Sequence, residues 1–153
     1  MRDEVTVHMR APAAQIWDLV ADVRKTGRFS PETVRAEWQG GATGPAPGAR
    51  FRGQVKRNGR GPLYWTECEV TACVPGREFG FSVSAANRVL NNWHYRFVPN
   101  GDGTDVTESY ALQDSVGTRI YWALAGRARR RTNRRGMTET LQRIRAVVED
   151  GPA

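Results

Sequence analysis

A chain of 153 residues can bury one substantial hydrophobic core without disulfide or metal staples, so a single domain over residues 1–153 is expected. Its formal net charge of +7 is uneven: residues 1–114 hold 14 basic and 13 acidic side chains, residues 115–153 hold 9 and 3. No apolar run approaches the roughly 20 residues that a bilayer span requires, and the opening MRDEVTVHMR does not resemble a signal peptide, so the expectation is a soluble, cytoplasmic protein.

Val5, Val7 and Met9 alternate with Thr6, His8 and Arg10, the period-two pattern of a half-buried strand. Pro12 suits the start of a helix; Ile16, Leu19, Val20 and Val23 then fall at helical spacing, with Gly27 as a stop. A short helix or turn, RKTGRF, leads to Ser30-Pro31-Glu32. From there six strands follow: TVRAEWQ, FRGQVKR, LYWTECEVTACV, REFGFSVSA, NNWHYRFVP and TDVTESYALQ. Breaker-rich turns separate them, among them GGATGPAPG, Asn58-Gly59-Arg60-Gly61, Pro75-Gly76 and Asn100-Gly101-Asp102-Gly103. Six strands with tight connections predict an antiparallel meander.

The last element shows helical spacing from about Gly117 to Val148. Ile120, Ala123, Leu124 and Ala128 share one side, and Met137, Leu141, Ile144 and Val148 form a stripe turned away from it. Gly126 or Gly136 offers a place for a bend. This helix is the one long cover for the sheet's apolar face, so the sheet is expected to curl around it. Alternation points Val34, Ala36 and Trp38, then Phe51 and Val55, then Tyr64, Cys68, Val70 and Ala72 inward. Phe79, Phe81 and Val83 follow, then Trp93, Tyr95 and Phe97, and finally Val106, Tyr110 and Leu112. Cys68 and Cys73 lie five apart on one strand, about 16 Å between Cα atoms, too far for a bridge; two free thiols fit a reducing compartment.

The order β-α-α-β6-α, with PAAQIWDLVADV near the start, SPE after the second helix, GARFRG opening a strand, Trp93-His94-Tyr95, GTDVTES and RRGMTETLQRI, resembles the START-like, or SRPBCC, superfamily of polyketide cyclases, dehydrases and lipid-transfer proteins. The resemblance spans essentially the whole chain. It implies an α+β helix-grip fold: a curved seven-stranded antiparallel sheet around a long C-terminal helix, with an apolar cavity between them. Close relatives often carry Trp immediately before the Ser-Pro-Glu, where this chain has Phe29.

Such a cavity would take a hydrophobic small molecule, with Trp38, Phe51, Tyr64, Phe79, Phe81, Trp93, Tyr95, Phe97 and Tyr110 on the sheet side and Ile120, Leu124 and Arg127 on the helix side. Glu108 shares the parity of Val106, Tyr110 and Leu112, which points a carboxyl inward. Three readings stay open: an ion pair with Arg50, Arg52 or Arg127, a bulge that turns the side chain out, or a cavity acid or base and hence a catalytic residue. His8 and His94 face away by alternation. No His-Glu-x-x-His or Cys-x-x-Cys spacing occurs, so neither metal nor cofactor is expected. No serine sits in Gly-x-Ser-x-Gly, and GGATGPAPGA lacks the Lys-Ser/Thr of a phosphate-binding loop.

The segment GRARRRTNRRG, residues 126–136, holds six arginines. Read as a helix, it is a solvated face pairing with acids on the sheet, or a collar at the cavity mouth, with Arg127 and Arg131 nearest the opening. The collar could attract an anionic head group or make transient contact with an anionic membrane. Nucleic acid is disfavoured for lack of aromatic interleaving or a binding motif, and a homodimer stays open. Two functions follow: binding or transport of a lipid, fatty acyl or polyketide-like molecule, or a metal-free polyketide cyclase/dehydratase-type enzyme in which Glu108 moves protons.

Overall fold

The computed structural model describes residues 2–56, 60–113 and 115–150, with the side chains of 118, 121 and 122 excepted; part of the turn expected at Asn58-Gly59-Arg60-Gly61 lies outside them. In chain order the elements are β1 (Arg2–Met9), α1 (Ala13–Ala21), a 3₁₀ segment (Val23–Arg28), β2 (Thr33–Gln39), β3 (Arg50–Val55), β4 (Tyr64–Val74), β5 (Glu78–Ala85), β6 (Arg88–Asn100), β7 (Gly103–Leu112) and α2 (Val116–Asp150). The seven strands form one sheet in the order β1-β7-β6-β5-β4-β3-β2, every pair antiparallel. This is the expected α+β helix-grip architecture: a meander from β2 to β7, with β1 beside the last strand.

The β6–β7 hairpin closes on the two residues Gly101 and Asp102, since Asn100 pairs with Gly103, and Gly101 takes the positive φ, +60°, that the tight turn demands. At Gly103 the end of β1 presses against β7 so closely that a Cβ would stand 2.0 Å from the Met9 carbonyl oxygen. No side chain fits there.

Three bulges interrupt the ladder, between Thr33 and Arg35, Val70 and Ala72, and Val83 and Ser84. An extra residue in a strand inverts the parity beyond it and bends the sheet. Two expected inward residues are corrected for this reason. Val34 is 48% exposed. Ala72 lies on the outer face, where a Cβ on the outward Gly80 would meet both its Cβ and the His94 ring. Cys73, opposite Phe79, packs instead against the core. Both thiols are free.

α1 starts after Pro12, as expected, but ends at Ala21, well before Gly27. The Asp22 carboxylate accepts from the Arg24 backbone N–H and so caps the 3₁₀ segment instead of letting α1 continue. α1 buries Ile16, Trp17, Leu19 and Val20, and the Trp17 indole N–H donates to the Glu78 carbonyl at 2.8 Å, tying the helix to the start of β5.

α2 runs unbroken for 35 residues and packs on β1 and β7. Met137, Leu141, Ile144 and Val148 are all buried; each such side chain contributes about 1.5–3 kcal/mol by leaving water. The apolar side of the first half does not follow them. Val116, Ile120 and Leu124 are 74%, 58% and 85% exposed, because one continuous helix keeps toward the sheet the face that its buried second half sets.

On the outer surface the His8 ring bridges Asp105 (Nδ1, 2.7 Å) and Asp102 (Nε2, 2.9 Å), joining β1 to the β6–β7 hairpin. The hydrogen bonds to Asp105 and then Asp102 raise the His8 pKa, and both carboxyls are lowered by the bond to His8. A raised imidazole pKa contributes stability that is complete below the unfolded value of about 6.5 and is lost as pH rises through the folded value. An NMR titration of His8 is expected to show a midpoint above 6.5, and His8→Gln a small decline in stability above that pH replaced by a flat profile. An unshifted midpoint would mean that the two contacts do not persist in water.

Candidate functional site

Between the sheet and α2 lies a cavity of about 390 Å³, within the range of small-molecule sites. Its wall is built by alternation: Phe51 from β3, Tyr64 from β4, Phe79 and Phe81 from β5, Trp93 and Tyr95 from β6, with Glu108 of β7 beside them. Phe81 meets Phe51 edge-on at 5.3 Å between centroids and Phe79 at 6.0 Å, so the rings brace one another along the wall. Opposite them α2 presents Arg129, Thr132, Asn133, Gly136, Met137 and Thr140. Those side chains are short or polar for the most part, and Ala36 and Gly53 add little volume from the strands. The void is what remains when large rings face small residues. Val20 of α1, and Val23 and Phe29 beyond it, belong to the same lining.

Several expected contacts fall elsewhere. Trp38 packs edge-on against Phe51 at 5.7 Å, Phe97 is buried in the core, and Tyr110 is buried against the Trp93 ring at 5.5 Å; all three support the wall from outside the cavity lining. On the helix the correction is larger. Ile120, Leu124 and Arg127 are exposed and do not line the cavity, nor does Arg131, and the arginine that reaches the lining is Arg129. The signal was present in the buried stripe. Extended toward the N-terminus from Met137 in helical steps, it passes through Asn133 and Arg129. Thr66, Asn91 and Phe29 also line the cavity; Thr66 shares the inward parity of Tyr64 and Cys68, and Asn91 that of Trp93 and Tyr95, so the alternation marks both positions although neither side chain is apolar.

The Glu108 carboxyl, 3% exposed, points inward as its parity predicts, and its partner is a phenol. Tyr95 stands directly opposite it in the β6–β7 register, and the Tyr95 hydroxyl donates to Glu108 Oε1 at 2.9 Å. Oε2 has no hydrogen-bond partner among the described residues. None of the expected arginines pairs with it: Arg52 binds Glu37 and lies over the Trp65 ring. Burial pushes the Glu108 pKa up to about 8, outweighing the Tyr95 hydrogen bond that favours the carboxylate. Burial likewise holds Tyr95 well above its usual value. It also pushes the Cys68 thiol up to about 12, so this cavity thiol is not a nucleophile at neutral pH. A second buried polar atom without a partner among the described residues, Asn91 Oδ1, belongs to a residue of the same lining.

Among the described residues no group of three or more His, Cys, Asp or Glu is placed to hold a metal ion, and no helix is long and apolar enough to cross a membrane. Of the arginine run, Arg134 pairs with Asp3 on β1 at 2.7 Å. Arg127, Arg129, Arg130, Arg131 and Arg135 make no ion pair among the described residues.

The family model of polyketide cyclase / dehydrase and lipid transport matches residues 2–149. The chain belongs to that family. A polyketide-cyclase-like protein of Corynebacterium glutamicum, solved by NMR, is 30% identical over 97% of this chain and 91% of its own, with a TM-score of 0.65. Two di-domain ARO/CYC proteins share the fold at lower identity. BexL, of the BE-7585A biosynthetic pathway, is 19% identical over 97% of this chain, with a TM-score of 0.74. StfQ, of the steffimycin pathway, is 14% identical over 97%, with a TM-score of 0.75. This family member spans 48% of the first and 50% of the second. None of the curated protein sequences compared with the chain matches it.

Proposed function

We propose that this family member binds and carries a hydrophobic small molecule, of lipid, fatty acyl or polyketide-like character, between the sheet and α2. The observation that carries this reading is the cavity of about 390 Å³ walled by rings on one side and short residues on the other. Enclosure of apolar surface supplies the affinity, and Glu108, Tyr95 and Arg129 supply polar points that orient a guest. Native mass spectrometry of protein purified from its own host, followed by extraction, tests it: a specific co-purified apolar compound supports the reading, and protein that neither retains nor takes up any such compound overturns it.

The buried carboxyl favours one alternative, an enzyme of the cyclase/dehydratase type. A cavity that folds a flexible chain brings reacting carbons together, and an acid with a pKa near neutrality can move protons. Glu108→Gln separates the two: lost turnover with retained affinity supports chemistry, and unchanged behaviour supports carriage.

The exterior fits loading from an anionic lipid surface. Exposed Ile120 and Leu124 stand beside exposed Arg127, Arg130, Arg131 and Arg135 on the first half of α2, an apolar stripe within a cationic surround. Binding is expected to vesicles containing phosphatidylserine, to be weak on phosphatidylcholine alone, and to decline with salt. At about 1 kcal/mol per arginine, the Arg130→Gln/Arg131→Gln pair should weaken it roughly 10- to 30-fold in a sedimentation assay. Tighter, salt-sensitive retention on duplex DNA with no vesicle binding would remove the lipid surface from the account.

A further inference from the structure

Within the ring-lined cavity one carboxyl has half of its hydrogen-bonding capacity unmet. Glu108 Oε1 accepts from Tyr95, while Oε2, buried on a residue 3% exposed, has no partner among the described residues. Both side chains rise from paired positions in adjacent strands, so the carboxyl is held by the sheet. The positively charged side chain in the described lining is Arg129, on the opposite wall. A carboxylate in that setting would lack compensation for its lost water, and the neutral acid avoids that cost. The neutral acid then has one requirement: an acceptor for the hydrogen on Oε2.

We propose that Glu108 donates this hydrogen bond from Oε2 to a neutral carbonyl oxygen on an otherwise apolar ligand. The cavity thereby selects ketones over matched carboxylates, amines and hydrocarbons. The inference rests on the cavity-binding reading above and adds the chemistry of the guest. A carboxylate guest would place two acids against each other, an amine would call for an ionised Glu108, and a plain hydrocarbon would leave Oε2 unsatisfied. Tyr95 acts here as a positioning residue, fixing which oxygen carries the proton.

Recognition of this kind depends on pH. Among the described residues the other titratable groups on the cavity are Tyr95 from β6, Tyr64 and Cys68 from β4, Glu32 before β2 and Arg129 from α2. Tyr95 and Cys68, both pushed up by burial, keep their protons through pH 9. Glu108 keeps its proton up to about pH 8. Ketone affinity should therefore hold below pH 8 and fall above it.

The neutral apolar dye N-phenyl-1-naphthylamine provides the probe, displaced in turn by 2-decanone, decanoate and decylamine. The expected result is dye binding that is independent of pH and, at pH 6.5, at least tenfold tighter binding of the ketone than of the acid or the amine. That advantage should be lost by pH 9. Glu108→Gln, whose amide is a permanent donor, should keep the ketone preference at pH 9, and Glu108→Leu should lose it at every pH while still binding dye. Tyr95→Phe should move the pH midpoint of ketone binding upward, because the bond it removes favours the carboxylate; a purely structural role would leave that midpoint in place. Dye that fails to bind the parent protein overturns the cavity reading itself. Dye binding with no ketone advantage, or with the amine bound best, overturns this inference alone.

Discussion

Glu108→Gln is expected to make the protein more stable than its parent at pH 9, by on the order of 4 kcal/mol, while the two remain alike below pH 4.5. In the unfolded chain the Glu108 carboxyl ionises near its ordinary value of 4.5, and in the folded protein near 8. Between those values the native state holds the proton and the unfolded state does not. A raised carboxyl pKa therefore gives stability that is complete below 4.5 and is withdrawn as pH climbs toward 8, at about 1.4 kcal/mol per unit. Glutamine reproduces the neutral acid: its Oε1 can accept from the Tyr95 hydroxyl and its amide stands where Oε2–H stood. It has no charge to gain. Urea unfolding of both proteins at pH 4, 6.5 and 9 checks this. The His8 cluster also loses stability with rising pH, but its groups are exposed and the slope is common to both proteins. Parallel profiles for parent and variant would mean that Glu108 is ionised and compensated in the folded state.

How far the sequence could have led to this carboxyl, and where it misleads, follows from what each kind of signal measures. Period-two alternation is local, so it holds wherever the ladder is regular. In β7 it aims Glu108 inward, and in β5 and β6 it aligns Phe79, Phe81, Trp93 and Tyr95 on the cavity wall. It fails at two of the bulges, where the inserted Val34 and, one residue past the inserted Thr71, Ala72 turn out, because a bulge has no hydrophobic signature of its own. The partner of Glu108 was missed for another reason. Charge complementarity suggested an arginine, whereas the register supplies a tyrosine; the two-residue turn at Gly101-Asp102 fixes that register locally, and pairing outward from Asn100 and Gly103 brings Tyr95 opposite Glu108. The helix shows the opposite failure. Ile120 and Leu124 are apolar and read as cavity lining, yet the face that closes the cavity carries Arg129, Asn133 and Gly136. A void needs small residues opposite large ones, and hydrophobic periodicity detects filled space only.

Gly136→Leu is expected to raise stability by about 1–2 kcal/mol and at the same time weaken binding of N-phenyl-1-naphthylamine at least tenfold. Gly136 sits in the middle of α2 and lines the cavity, and a Cβ placed there would meet nothing within 4 Å. Leucine removes the roughly 1 kcal/mol penalty of a mid-helix glycine and lays its branched end into empty, ring-walled space, burying further apolar surface. The same side chain takes the volume a guest would occupy. The sign of the stability change thus reports on the void itself. In an interior already filled, the added carbons would overpack and cost about 1–3 kcal/mol. Phe79→Ala supplies the contrast from the opposite wall. Phe79 is 1% exposed and braced against Phe81, so its loss should cost about 3–5 kcal/mol and widen the cavity. Thermal or urea unfolding of the two variants, with the dye titrated into each, should place them on opposite sides of the parent in stability. A destabilised Gly136→Leu protein that still binds the dye would put the ligand somewhere other than beneath α2.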